Sequence, residues 1–97
     1  MNKQWIVVRS KPRSEKVVYK ELVSKNIEAY LPLLKERRKW SDRKKWVEFP
    51  LFSSYLFVRI DIKDSIFVLQ TQGVNTIIKF GEKIAIVQDD VIKAMRL

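Results

Sequence analysis

The chain of 97 residues contains no cysteine and no histidine, and it has only two glycines. These absences exclude disulfides, a thiolate nucleophile, an imidazole base and most zinc sites, and two glycines are too few for a glycine-rich phosphate loop. The remaining carboxylates, hydroxyls and amines show no nucleophile paired with a base. We therefore expect a protein that is not an enzyme and that holds no metal and no cofactor.

Long apolar runs are also missing, since no stretch approaches the roughly 18 residues that a membrane span needs. The hydrophobic fraction of 46% nevertheless fits a globular domain. The lack of cysteine fits a reducing compartment. We expect one cytoplasmic, monomeric domain over residues 1–97 that makes no contact with a membrane.

Positive charge is abundant and unevenly placed. The net charge is +9, and residues 1–48 carry 14 basic and 6 acidic groups, whereas residues 49–97 carry 6 and 5. The segment KERRKWSDRKKW at positions 35–46 holds seven basic residues and two tryptophans. Such clustering favours a polyanion partner, nucleic acid above all. A solvated basic surface and an acidic protein partner are the alternatives.

The hydrophobic periodicity predicts an α+β fold with the order β-α-β-β-β-α-β-β-α. We expect a mostly antiparallel sheet of four to five strands, flanked by about three helices, with a projecting basic β-hairpin. Outside that hairpin, the extended segments are predicted at residues 4–9, 27–34, 50–60, 74–80 and 83–87. Three helices are predicted, the first capped by Ser14, the second opened by Asp64 or Ser65, and the last capped by Asp89 or Asp90.

The hairpin is predicted from two basic arms that flank Ser41-Asp42-Arg43, a sequence typical of a turn. We expect its tip near Asp42. Its arms are too polar for both to face a core, so the hairpin should project from the domain. Trp40 and Trp46 lie on either side of the turn and are expected to pack across the two strands.

The stretch PLFSSYLFVRI at positions 50–60 alternates aromatic and aliphatic residues. Tyr55 and Phe57 fall on one face of a strand, and Leu56 and Val58 on the other. The pattern suits a central strand with both faces covered, or one face reserved for a partner. In an alternative interpretation the two rings stack on single-stranded RNA, as in RNA-recognition-motif domains, provided that this face of the sheet is open.

Five motifs resemble the N-terminal domain of NusG-type transcription elongation factors, and the RfaH-like and UpxY-like specialised antiterminators in particular. They occur in the family's order over nearly the whole chain. They are Trp5-Ile6-Val7-Val8, the run KPRSEK at positions 11–16, Leu31-Pro32, the segment PLFSSYLFV at positions 50–58, and the GV…IxKFG pattern at positions 73–81.

This resemblance implies a bacterial DNA-binding transcription factor that binds the clamp helices of RNA polymerase and raises processivity or prevents termination. It implies contact with upstream or non-template DNA, and a C-terminal KOW domain in the full-length protein beyond these residues. Tyr55, Phe57 and Phe80 would line an apolar depression for the polymerase, with Trp5 or Ile6 nearby. The residues implied to face nucleic acid are Lys11, Arg13, Lys16 and Lys20, and Arg37, Arg38, Lys39, Trp40, Arg43, Lys44 and Lys45 in the hairpin.

Overall fold

A computed structural model describes the backbone of residues 2–40 and 43–96 and the side chains of residues 2–35 and 46–96. Among the described helices, none is long and apolar enough to cross a membrane. The strands are β1 (Lys3–Ser10), β2 (Glu28–Tyr30), β3 (Leu33–Trp40), β4 (Arg43–Pro50), β5 (Tyr55–Asp61), β6 (Val74–Ile77), β7 (Lys79–Phe80), β8 (Lys83–Ile84) and β9 (Ile86–Val87). The helices are α1 (Glu15–Ser24), α2 (Ser65–Leu69), which follows a 3₁₀ turn, and α3 (Asp89–Met95).

The main sheet is antiparallel and is centred on β1. Its order is β2-β5-β1-β6, and β9 pairs with the first half of β1 beside β6. β5 pairs with β1 so that Tyr55 is opposite Arg9, and β2 adds the outer edge with Tyr30 opposite Phe57. The predicted α+β class with a mostly antiparallel sheet is confirmed.

The two faces of β5 are buried differently, as the alternation of its residues predicts. Leu56, Val58 and Ile60 belong to the main core, where they pack with Val18 and Leu22 of α1. α2 covers the same side through its buried Val68 (relative exposure 0%). The aliphatic face of the central strand therefore lies under two helices.

The opposite face of the sheet is covered in part by α3. Ile92 of this helix is buried against Trp5 and Phe57, and Met95 packs beside them. The sheet is consequently a middle layer, with α1 and α2 on one side and α3 on the other. Since α3 has only seven residues, it covers a part of that face, and the rings beyond it stay within reach of solvent.

Strands β3 and β4 form the predicted hairpin as a separate two-stranded ribbon. Its register runs from Leu33 opposite Pro50 to Trp40 opposite Arg43. The predicted tip, Ser41-Asp42, lies outside the described residues. The domain measures 51 × 28 × 27 Å along its principal axes, an elongated shape that fits a projecting ribbon of eight residues on each side.

Two hydrogen bonds lie at the base of the ribbon, one that closes the base itself and one that joins it to α1. The backbone N–H of Leu51 donates to the carbonyl of Pro32 over 2.8 Å. The ammonium group of Lys16 in α1 donates to the carbonyl of Glu48 in β4 over 3.1 Å. The ribbon is thus joined to the sheet by its two ends and to the first helix by a side chain.

Helix starts differ from the sequence prediction in their capping. Ser14 does occupy the position before α1, but its hydroxyl donates to the carbonyl of Pro12 and makes no capping bond. The residue before α3 is Gln88, so Asp89 and Asp90 lie inside the first turn instead of capping it. Their charges still favour the helix, because carboxylates near the first turn interact well with the helix dipole.

The predicted strand over residues 74–80 is interrupted. β6 ends at Ile77, and the backbone N–H of Ile78 donates to the carbonyl of Val7 over 2.9 Å. The chain then leaves the sheet as the small hairpin β7–β8, which turns at Gly81, and returns as β9 on the same side of β1. Phe80 is therefore carried away from the sheet, a result that local periodicity does not reveal.

Candidate binding surfaces

Four aromatic side chains share the sheet face opposite α1, and we call them the aromatic surface: Tyr30, Phe52, Tyr55 and Phe57. The ring of Phe57 stacks with Tyr30 and meets the edge of Phe52, with a centroid distance of 6.3 Å in both pairs. Phe57 is 9% exposed, Phe52 is 43% exposed, and the two tyrosines are half-buried. Rings that are anchored in the fold but partly accessible suit an apolar partner, because burying their remaining area is favourable.

A buried carboxylate holds the loop that presents Phe52 and Tyr55. The backbone N–H of Ser54 donates to Oε2 of Glu15 over 3.0 Å, and Glu15 is only 6% exposed. The carbonyl of Ser54 accepts from the N–H of Ser10 over 2.8 Å. Ser54 has a φ of +68°, a strained conformation for a residue other than glycine. These two bonds hold that turn and thereby fix the direction in which Tyr55 enters β5.

The end of α3 closes one side of the aromatic surface. The hydroxyl of Tyr30 donates to the carbonyl of Met95 over 3.0 Å. The guanidinium carbon of Arg96 lies 4.8 Å from the ring centre of Tyr30 and 5.3 Å from that of Trp5. Both distances fall within the range of cation–π attraction. α3 is thus attached to the rings by a hydrogen bond and a cation as well as by apolar packing.

The residues predicted to line a polymerase site are only partly brought together. Tyr55 and Phe57 share one face. Ile6 is fully buried in the main core on the opposite face, so the expectation that it lines this site is corrected. Trp5 is 4% exposed and packs with Phe57 and with Ile92 of α3, so it is a buried neighbour of the aromatic surface. Phe80 lies on the hairpin β7–β8 and is 78% exposed. The described ring contacts of Phe57 are with Tyr30 and Phe52 and do not include Phe80.

The burial of Phe57 bears on the RNA-stacking alternative. That interpretation needs an open sheet face on which bases can stack on rings at positions 55 and 57. α3 instead packs against Phe57 through Ile92, and the rings of Tyr30 and Phe52 contact it on other sides. The covered ring disfavours stacking on single-stranded RNA at this face.

Sequence reasoning missed Phe52, Tyr30 and Arg96. Phe52 lies within the same segment PLFSSYLFV as Tyr55, but it precedes the strand, so alternation does not assign it a face. Tyr30 becomes a neighbour of Phe57 only when β2 pairs with β5. Arg96 reaches Trp5 and Tyr30 only once α3 has folded onto the sheet. All three contacts are non-local, and no pattern in the sequence indicates them.

The predicted basic residues in and before α1 are all accessible. Lys11 and Arg13 lie in the turn between β1 and α1, and Lys16 and Lys20 lie one turn apart on the helix. Among these four, Lys16 is the one whose side chain makes a described hydrogen bond, to the carbonyl of Glu48. Side chains of like charge four residues apart repel each other on a helix, which an anionic partner would relieve.

The turn that carries Lys11 and Arg13 packs against a glycine. The N–H of Lys11 donates to the carbonyl of Gly73 over 2.8 Å. Gly73 has a φ of +89°, and a Cβ at this position would lie 2.9 Å from Cγ2 of Val18. Both the backbone angle and the space require glycine here. The basic turn is therefore seated on a rigid part of the domain.

The register of the ribbon places basic residues opposite one another. Arg38 is opposite Lys45, and Lys39 is opposite Lys44. Like charges directly opposite on paired strands are destabilising, and they do not help the ribbon to form. Arg37 and Arg43 are the other predicted basic positions of the ribbon. The structure does not describe the side chains of residues 36–45. Such pairs are typical of a surface that binds an anion.

The two tryptophans of the ribbon do not face each other. Trp46 is opposite Arg37, whereas Trp40 is opposite Arg43. Positions 37 and 40 are an odd number of residues apart, so the register puts positions 40 and 46 on opposite faces of the ribbon. The expectation that the tryptophans pack across the strands is wrong. Trp46 is 64% exposed, which leaves its ring available to a partner.

Comparison with known proteins agrees with this architecture. The chain resembles NusG of Thermotoga maritima, described in a structure of its domain interaction, with a TM-score of 0.65 and 21% identity. The similarity covers 98% of this chain and 56% of that protein, so this chain spans little more than half its length. No curated protein matches the chain. Residues 3–96 match the family described as transcription termination factor NusG, and the chain belongs to this family.

Proposed function

We propose that this domain is a non-catalytic transcription factor module that binds RNA polymerase through the aromatic surface and DNA through the ribbon. The observation that carries the proposal is the aromatic surface itself. Phe52 is 43% exposed at the edge of a buried Phe57, in a chain whose family acts in transcription. An anchored ring with an accessible neighbour is the kind of apolar contact that dominates protein interfaces.

The partner segment on the polymerase is the tip of the clamp helices, as the resemblance to NusG-type factors implies. A helical tip presents a few apolar side chains, and rings pre-positioned by the fold bind them with little loss of side-chain freedom. Each Å² of apolar area removed from water contributes about 25 cal/mol before these ordering costs. Loop 51–54 is fixed by Glu15, which keeps the cost of ordering low.

The DNA partner is the upstream duplex or the non-template strand of the bubble. Its phosphates would contact the ribbon and the basic residues of the first helix. The excess of charge in residues 1–48 and the like-charged pairs of the ribbon support this assignment. Contacts to phosphates position a protein without reading sequence, so the proposal includes no specific base recognition.

Binding to both partners would raise processivity by favouring the closed clamp. A factor that binds the closed state better than the open state shifts the population toward the closed state without chemistry. We further propose that the factor is a cytoplasmic monomer of the specialised antiterminator type, similar to RfaH-like and UpxY-like proteins, and that a KOW domain follows in the full-length protein. The motifs at positions 11–16 and 50–58 support this finer placement.

The test is binding of the 97-residue chain to an isolated clamp-helix fragment and to RNA polymerase in a pull-down. Phe52→Ala and Tyr55→Ala should each weaken binding to both by about 30-fold, which corresponds to about 2 kcal/mol for a central interface residue. Their affinity for free DNA should stay within about twofold of the parent, because neither side chain belongs to the basic region.

Val17→Ala is the matched control, because Val17 is an apolar residue of similar exposure (46%) on α1, which packs on the other face of the sheet. Its binding to the fragment should equal that of the parent. If the ring variants stay folded and yet retain full affinity for the clamp helices, the aromatic surface is not the polymerase site. If polymerase and DNA affinity fall together, the two surfaces are not separate.

A further inference from the structure

Helix α3 depends on its contacts with the sheet for its position. It has seven residues, all of them described, of which Ile92 alone is buried, and the side chain of Gln88 does not cap its first turn. Isolated helices shorter than about 12–15 residues are marginal in water, so α3 has little stability of its own. Its place beside the aromatic surface is therefore decided by the few side chains that attach it.

Apolar packing alone leaves α3 incompletely held. Ile92 is buried against Trp5 and Phe57, but beside this contact a cavity of about 290 Å³ lies between α3 and the strands at the edge of the sheet. Glu28 and Arg59 border this cavity and pair with each other over 3.3 Å. Since side chains do not fill the space, the last turn of α3 needs a further attachment to stay in place.

Arg96, the residue that follows the last turn of α3, provides this attachment. Its guanidinium carbon lies 4.8 Å from the ring centre of Tyr30 and 5.3 Å from that of Trp5. Trp5 belongs to β1 and Tyr30 to β2, and these two strands lie on either side of β5 in the sheet. One cation thus bridges both neighbours of the strand that carries Phe57.

Tyr30 connects Arg96 with the rest of the aromatic surface. Its ring stacks with Phe57 at a centroid distance of 6.3 Å, and its hydroxyl donates to the carbonyl of Met95 over 3.0 Å. Phe57 in turn meets the edge of Phe52, the most exposed ring of the surface. A row of contacts therefore runs from the end of α3 to the ring that is most accessible to a partner.

We propose that Arg96 is a positioning residue for polymerase binding, which holds Tyr30 and the end of α3 so that the aromatic surface is ordered before the partner arrives. Side chains that must be ordered on binding reduce the affinity, and a preformed surface avoids this loss. The inference rests on the proposed function, because the polymerase is taken as the partner of the aromatic surface. It goes further by giving a binding role to a residue that acts through Tyr30 and α3 and not by contact with the partner.

The first measurement is the affinity of the 97-residue chain for the clamp-helix fragment. Arg96→Gln should weaken binding by about fivefold, the effect of one further side chain that has to be ordered on binding. Arg96→Lys keeps a cation within reach of the two rings and should stay within about twofold of the parent. Tyr30→Phe keeps the ring but loses the bond to Met95, and it should also weaken binding by about fivefold.

The double variant tests whether the two contacts hold the same unit. Two independent losses of this size would multiply to about 25-fold. Arg96→Gln combined with Tyr30→Phe should lose clearly less than that product, because either change already frees the same ring and the same helix end.

A second measurement follows the position of α3 without any partner. With Trp40→Phe and Trp46→Phe as the background, Trp5 is the single tryptophan of the chain. Because Trp5 is 4% exposed, acrylamide should quench its fluorescence weakly in the background protein and more strongly once Arg96→Gln is added. Exchange of the backbone amides of α3 should become about two- to fivefold faster in Arg96→Gln, the range expected for an exposed cation–π contact.

Two control variants make the same chemical changes elsewhere. Lys93→Gln removes an exposed cation from the same helix, and Tyr19→Phe removes a tyrosine hydroxyl from α1, on the other face of the sheet. Both should match the parent in affinity for the fragment, in the quenching of Trp5 and in the exchange of α3.

Three results would overturn the proposal. The first is equal affinity of folded Arg96→Gln and parent for the fragment. The second is a loss of affinity with unchanged quenching of Trp5 and unchanged exchange of α3, because Arg96 would then contact the partner directly. The third is a double variant that shows the full product of the two losses.

The two measurements also separate this proposal from the proposed function. If the parent does not bind the clamp helices while Arg96→Gln still frees Trp5 and α3, the polymerase proposal fails, and Arg96 keeps its role in ordering the aromatic surface.

Discussion

Glu15 is a buried carboxylate in a domain with a net charge of +9. In the sequence it looks like one more helix residue in the run KPRSEK. In the fold, its Oε2 accepts the N–H of Ser54 over 3.0 Å and joins the start of α1 to the start of β5. One side chain thus connects the basic turn to the loop of the aromatic surface.

Glu15→Ala should destabilise the domain by about 1–3 kcal/mol, because the N–H of Ser54 would lose its acceptor in a partly buried place. Glu15→Gln keeps an acceptor oxygen at the same distance and should cost less than about 1 kcal/mol. Urea unfolding checks this through a shift of the midpoint at constant m-value.

The control for this pair is Glu82→Ala, which removes an exposed carboxylate in the β7–β8 turn and should change stability by less than about 0.5 kcal/mol. If Glu15→Gln lowers the free energy of unfolding as much as Glu15→Ala does, the charge of Glu15 stabilises the domain and the hydrogen bond to Ser54 does not. If neither variant is destabilised, Ser54 is not held by this side chain.

In the ribbon of β3 and β4, the basic residues that would bind DNA also make the pairing of the two strands less stable. The register puts Arg38 opposite Lys45 and Lys39 opposite Lys44, and like charges at paired positions disfavour strand pairing. The described ion pair, Lys35 with Glu48 at 3.9 Å, is exposed and contributes little. A ribbon with this composition fits the proposed DNA partner.

Replacing Arg37, Arg38, Arg43 and Lys44 with Gln should flatten the salt dependence of duplex DNA binding. The slope of log affinity against log salt should fall by about 0.9 for each replaced side chain that contacts a phosphate. The free energy of unfolding should stay equal or rise, since cross-strand repulsion is relieved. Anisotropy titrations in rising salt and urea unfolding measure the two effects.

The matched control for the ribbon carries the same change of charge in the second half of the chain, at Lys63, Lys79, Lys83 and Lys93. All four are exposed. If this variant loses as much slope as the ribbon variant, the net charge governs DNA binding and the ribbon has no special part in it.

Features of the fold that depend on residues close in sequence were predicted, whereas those that depend on contacts between distant residues were not. Alternation at positions 55–60 predicted both faces of β5 correctly, because each face is decided by immediate neighbours in the strand. The break at Ile78 was not predicted, since it depends on a hydrogen bond to Val7. The place of α3 over Trp5 and Phe57 was not predicted either, because a helix of seven residues carries little pattern to indicate its partner.

At the scale of the whole molecule, the two proposed surfaces are joined by a short and ordered connection. β4 ends at Pro50, Leu51 is hydrogen-bonded to Pro32 over 2.8 Å, and Phe52 already belongs to the aromatic surface. The ribbon and the rings are therefore joined through Leu51 alone, whose backbone is hydrogen-bonded at the base of the ribbon. A rigid connection raises the effective concentration of the second site when its geometry fits the partner.

Polymerase assembled on a DNA bubble should therefore bind the domain about 10²- to 10⁴-fold more tightly than the isolated clamp helices or the bubble alone. Tyr55→Ala should lower the affinity for the assembled complex by about 30-fold, as it does for the isolated clamp helices, and the fourfold ribbon variant should remove most of the gain because it weakens the DNA site. Biolayer interferometry with the three immobilised partners measures it, and the loss should appear mainly as faster dissociation. An affinity for the assembled complex no higher than that for the better single partner would mean that the two surfaces are not engaged together.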